Sequence, residues 1–178
     1  MRKYIFGKNK FKKRKSAKPK YPKLINAYVS LITSDHHLSA KEFLDVCEPH
    51  NGGWRTTARL KIHVRYENKS ACKNIFEKDI PKGTVWDGAS IPKIFRWLVG
   101  DPTDKEFALS SFVHDLLYRM RFIRSVADQV FYFFLQGTRF KDIPTWKENL
   151  MYVGVRIGGQ AFYASKSNIF WRVVRSVA

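Results

Sequence analysis

His114, Asp115 and Asp128 stand in the apolar stretch FVHDLLYRMRFIRSVADQVF, residues 112–131. A buried carboxylate without a partner is costly, so three ionisable groups in such surroundings need a physical reason. On a helix, His114 and Tyr118 are one turn apart and overlie one another, while Asp115 projects about 100° round from His114 and reaches the rim of the same cleft. A short turn followed by an antiparallel helix brings Asp128 back towards His114. A carboxylate that accepts from one imidazole nitrogen fixes the tautomer and leaves the other nitrogen as a base. Asp115, with backbone carbonyls or Asp87, has the hard-oxygen chemistry for calcium or another divalent cation. A metal beside such a base is hydrolytic equipment. The same residues also serve as a buried His–Asp–Tyr network that locks two helices together, and spacing alone does not separate these readings.

The elements that must position these groups follow from periodicity. Leu109, Phe112, Val113, Leu116 and Met120 make the core stripe of a helix over about 104–119, with Thr103 and Glu106 as a capping box and Ser111 on the polar side. Ser125 with Asp128 predicts a second cap, opening a helix to about Leu135 whose Val130, Phe131 and Phe134 pack inward. A third helix follows Pro144, with Trp146, Leu150, Val153, Ile157 and Ala161 on its apolar face, and Ser167 starts a short amphipathic end. Upstream, residues 24–33 are a strand or a short helix. SAKEFLDVC gives one or two helical turns. Leu60, Ile62 and Val64 alternate with Arg59, Lys61, His63 and Arg65 as a half-buried strand that leaves His63 on the surface. A second strand region leads through a turn at Pro81-Lys82-Gly83 into the loop Asp87-Gly88-Ala89-Ser90-Ile91-Pro92. No nucleophile elbow surrounds Ser90, which excludes the usual serine-hydrolase arrangement there. The expectation is an α+β domain: a small antiparallel β region, then a three-helix segment.

The chain has 178 residues, 44% hydrophobic and 15% aromatic, which suits one globular domain over 24–178. No apolar run approaches the roughly 18 residues of a transmembrane segment, and the start lacks a secretory signal. The net charge of +18 is concentrated: residues 1–23 carry Arg2, Lys3, Lys8, Lys10, Lys12, Lys13, Arg14, Lys15, Lys18, Lys20 and Lys23 and no acid. This N-terminal arm seeks a polyanion, whether nucleic-acid phosphate, anionic lipid or an acidic protein surface. No helix-turn-helix with a basic recognition face is present, which disfavours a sequence-specific DNA regulator. Two cysteines make no disulfide scaffold. Cys47 and His50, with His36, His37, His63 and Cys72 nearby, only loosely suggest zinc, since the second ligand pair has no recognised spacing.

Several stretches together, VWDGASIPKIFRWLVG, FALSSFVHDLLYRM, ADQVFYFFL and PTWKENLMYVGVRIGG, resemble a family found mainly in bacteriophages and prophages and catalogued as a domain of unknown function (family thirteen-fifty-three). The likeness covers about 58–163, with Trp86 where the family usually has Thr. It implies a virion-associated structural or interaction protein, made in the host cytoplasm. Its partners would be other virion proteins and, through the basic arm, DNA. His114-Asp115-x-x-Tyr118 with Ala127-Asp128 is also similar to secreted and parvoviral phospholipases. That similarity implies His114 as general base, Asp115 as calcium ligand, Asp128 as the group that orients His114 and Tyr118 as support. The glycine-rich calcium loop of those enzymes is missing, with only Gly100 in WLVGDPTD.

Overall fold

The computed structural model describes residues 22–34, 36–87, 105–137 and 145–157. Strands come first and helices follow, so the fold is α+β as expected. One antiparallel sheet has the order β1-β4-β5, from Lys23–Leu31, Leu60–Glu67 and Lys73–Ile80; the other has the order β2-β3-β6, from Cys47–His50, Gly53–Thr56 and Val85–Trp86. The β region therefore opens at Lys23, the last residue of the expected arm, which pairs with Glu67. The expected strand-or-helix at 24–33 is a strand, since its β-branched and aromatic residues suit a half-buried pleat.

Alternation sets the buried face. Leu60, Ile62 and Val64 are wholly buried on β4, and Ala27 and Val29 join them from β1. On the outer face, cross-strand partners Tyr28 and His63 stack at 4.2 Å, and His37 covers the other side of Tyr28 at 3.6 Å. His63 also reaches Glu77 at 3.0 Å and keeps only 14% of its side chain exposed, so it is packed rather than the free surface histidine that alternation suggests.

Between β1 and β2, α1 (Ala40–Asp45) starts at a capping box: Ser39 accepts from the Glu42 N–H and Glu42 accepts from the Ser39 N–H. Those bonds and His36 hold the Glu42 carboxyl down at about 2. Phe43 of α1, Trp54 of β3 and Phe112 surround the fully buried Trp86. Trp86 is thus a core anchor where a threonine would leave a large void. Gly53 is required opposite it, because a Cβ there would lie 2.4 Å from the Trp86 carbonyl oxygen.

A 3₁₀ turn (Lys105–Phe107) leads into α2 (Ala108–Arg119), whose N-cap Phe107 makes no side-chain cap bond. Thr103 of the expected capping box lies outside the described residues. α3 (Arg124–Gly137) begins before Ser125, and Asp128 points inward rather than capping. Helix α4 covers residues 145–157. Its buried apolar side chains are Met151 and Val155, whereas Trp146, Val153 and Ile157 are exposed. Of the stripe expected to face the core, Leu150 packs against the docked cluster, but Trp146, Val153 and Ile157 do not. The docking face is set instead by Phe107, Phe131 and Leu135, which receive Met151 and Val155. Ala161 and the amphipathic end from Ser167 lie outside the described residues.

α3 also fastens the sheet edge. The Gln129 side chain accepts from the Leu24 N–H at 3.0 Å and donates to the Pro22 carbonyl at 2.9 Å. One side-chain amide thereby does for β1 what a neighbouring strand would do.

Candidate functional site

α2 carries Ser110, Ser111, His114 and Asp115 into the interior, each at most 4% exposed. The two serines satisfy themselves locally, on the Phe107 and Ala108 carbonyls. Ser111 thus takes no part in the network around His114.

The turn between α2 and α3 explains how Asp128 returns to His114. The Phe122 N–H donates to the Leu117 carbonyl and the Arg121 N–H to the Tyr118 carbonyl, while Arg121 adopts φ +53°. This is a Schellman stop with arginine where glycine is usual. Phe122 then packs against Tyr66 and Phe76 of the sheet, which sends α3 back along α2.

Asp128 has no exposed surface. Its Oδ1 receives the Tyr118 hydroxyl at 2.5 Å and lies 3.2 Å from His114 Nε2, and its Oδ2 receives Arg156 Nη1 at 2.8 Å. Arg124 Nε stands 3.8 Å from the same Oδ2. Burial alone would raise the Asp128 carboxyl, but the hydrogen bonds from His114 and Tyr118 and the charge of the partners outweigh it, and the group is held below its ordinary range. Burial, then the bond to Asp128, pushes the Tyr118 hydroxyl well up. Burial works against the charged Arg156, yet Asp128 draws its guanidinium up all the same.

An ionised carboxylate only accepts, so the Asp128 contact places the proton of a neutral imidazole on Nε2. Nδ1 is then the basic nitrogen, and it has no hydrogen-bond partner among the described residues. The His114 ring rests on Tyr118 at 4.0 Å and Phe131 at 5.2 Å, which limits its rotation.

Asp115 does not join this group. It forms an ion pair with Arg119 at 2.6 Å, one turn along, and Arg119 also donates to the Val85 carbonyl at 2.8 Å. Asp87 is exposed beyond the end of β6. Among the described residues no cluster of three His, Cys, Asp or Glu could hold a metal. Among the described residues the donor set therefore does not fit the calcium site implied by the phospholipase likeness, because the carboxylate that would ligate it is paired with a guanidinium. The loop from Gly88 to Pro92, including Ser90, lies outside the described residues. The loose zinc set is also dispersed: the Cys47 thiol donates to the Phe43 carbonyl and burial raises it to about 12, His36 pairs with Glu42, and His50 meets Asn51.

Sequence reasoning missed Arg124 and Arg156. Arg124 precedes Asp128 by four positions, a spacing that signals a helical ion pair. Nothing local ties Arg156 to Asp128, since the contact depends on how α4 docks.

Residues 58–155, more than half of the chain, match the model of a family described as "Protein of unknown function (DUF1353)". An uncharacterized protein of Sinorhizobium fredii, y4jT, is 32% identical over 80 residues, which is 45% of this chain and 23% of that protein. The chain thus matches about a quarter of the relative's length. No solved structure matches.

Proposed function

Because the chain belongs to the family described as "Protein of unknown function (DUF1353)", whose description assigns no activity, we propose from its own residues that it is a hydrolase with His114 as general base. One observation carries this reading: a fully buried carboxylate, Asp128, accepts from both His114 and Tyr118 on a single oxygen. Helix glue needs no imidazole, and apolar residues of similar volume do that work as well or better. An imidazole oriented by a carboxylate, with its second nitrogen unbonded among the described residues, is the arrangement general-base chemistry requires.

In the proposed reaction Nδ1 takes a proton from water. The resulting hydroxide forms a bond to the electrophilic centre of an ester, the ester C–O or P–O bond breaks, and the imidazolium returns its proton to the leaving oxygen. Asp128 stays ionised throughout and stabilises the imidazolium; Tyr118 holds the carboxylate in place. The role of a virion component gripping DNA or a neighbouring subunit rests on the basic arm, of which residues 1–21 lie outside the described residues.

The test is a panel of chromogenic acyl and phosphate esters, with and without calcium, against the purified chain and His114→Asn. General-base catalysis predicts a loss of about 10²–10⁴-fold in the variant. An equal rate in a folded His114→Asn chain would reduce the cluster to helix glue.

A further inference from the structure

Helix α4 carries apolar side chains on two opposite sides. Met151 and Val155 fall on one side and are buried against Phe107, Phe131 and Leu135. Spacings of seven and four put Trp146, Val153 and Ile157 within about 40° of one another on the other side. Those three are 53%, 48% and 78% exposed. Single apolar residues are normal on a surface, but a tryptophan, a valine and an isoleucine in one exposed line mark a contact face. The rotation of the helix is fixed by other contacts. Asn149 accepts from the Tyr132 hydroxyl at 2.8 Å, Tyr152 packs on the Tyr132 ring at 4.8 Å, and Arg156 Nη1 donates to Asp128 at 2.8 Å. The fold therefore presents the line outward.

Charge identifies what the line meets. From Ile143 onward the sequence has five basic residues, Lys147, Arg156, Lys166, Arg172 and Arg175, against one acid, Glu148; residues 1–23 add eleven basic residues and no acid. Exposed apolar side chains combined with a basic excess fit the boundary of an anionic bilayer, where the apolar groups insert below the headgroups and the cations stay among them. A second copy of the chain fits less well. Three side chains fall short of the roughly 800 Å² that each partner contributes to a stable dimer, and a net charge of +18 opposes self-association. No helix among the described residues is long and apolar enough to cross a membrane, so the contact is with a surface. We propose that the outer face of α4 docks on an anionic lipid surface through Trp146, Val153 and Ile157, with the basic residues near both chain ends supplying the long-range attraction. The inference is independent of the hydrolase reading.

The experiment is sedimentation of the full chain with vesicles of phosphatidylcholine alone and of phosphatidylcholine mixed equally with phosphatidylglycerol. The double variant Trp146→Ser/Ile157→Ser, which leaves the charge untouched, is run beside it. Ile75→Ser removes a similarly exposed apolar side chain from β5 and serves as the control. The expected result is binding to the mixed vesicles that weakens at least about tenfold in the double variant, is unchanged in Ile75→Ser and falls with added salt. Equal binding by the double variant means that charge alone holds the chain to lipid, and it overturns the proposal. Absence of binding by the wild type overturns it too, and is the outcome if another part of the chain covers the line. A dimer in sedimentation velocity that the double variant loses gives the face to a second copy, with the same consequence. If the double variant is unfolded, Val153→Ser replaces it: severalfold weaker binding supports the proposal, and unchanged binding overturns it.

Discussion

His114 Nε2 and Asp128 Oδ1 lie 3.2 Å apart across two antiparallel helices, although fourteen positions separate them in the chain. The contact exists because α2 ends abruptly at the Arg121 turn and α3 retraces it. The chemistry proposed for this protein depends on that pair, so the first prediction removes it. Asp128→Asn keeps the shape and deletes the charge. It should cost about 3 kcal/mol, the lower end for breaking a buried ion pair, because Arg124 and Arg156 still reach solvent. Urea unfolding of the two chains measures it.

The same carboxyl gives the fold an acid limb. An unfolded aspartate titrates near 3.9, and the folded Asp128 lies lower because His114, Tyr118 and Arg156 favour its anion. Its contribution is complete above the unfolded value and is lost as pH falls through the folded one. Stability measured from pH 6 downward should fall more steeply in the wild type than in Asp128→Asn.

Tyr118 acts at the other end of the scale. Its hydroxyl is raised by burial and by Asp128, so its contribution is full below the unfolded value near 10 and is lost as pH rises towards the folded one. Tyr118→Phe should cost about 1 kcal/mol at neutral pH and flatten the alkaline decline. Thermal melts between pH 8 and 11 test both expectations.

Arg121 holds a left-handed backbone, φ +53°, that disfavours any side chain. Arg121→Gly should stabilise the chain by about 1 kcal/mol, the strain relieved less the extra entropy of glycine. A fall in the urea midpoint would mean that contacts of the Arg121 side chain outweigh that strain.

Gly53 faces the opposite constraint. A methyl group there meets the Trp86 carbonyl oxygen at 2.4 Å, and backbone must shift to admit it. Gly53→Ala should destabilise by about 1–3 kcal/mol, read from the same unfolding curves.

What the sequence revealed follows physical range. The helical turns of SAKEFLDVC, the alternation of Leu60, Ile62 and Val64, and the one-turn spacing of His114 and Tyr118 are local patterns, and each appears where the pattern puts it. The pairing of His114 with Asp128 was legible because it needs only a short turn between two amphipathic helices. The Arg156 contact was not, since docking of α4 depends on Phe107, Phe131 and Leu135, which belong to other elements. The apolar stripe of Trp146, Val153 and Ile157 misled for the same reason: periodicity marks a hydrophobic face but not its partner. Asp115 misled differently. Its i,i+4 partner Arg119 was visible in the sequence, and that pairing answers the burial of the carboxylate without a metal.

Gln129 and Asp128 are consecutive residues with opposite duties. Gln129 holds the backbone of Pro22 and Leu24 at the start of β1, and Asp128 holds His114, Tyr118 and Arg156 on the helical side. A single peptide unit therefore joins the sheet margin to the charged centre. The entry to β1 and the charged centre are thus held from adjacent positions of one helix.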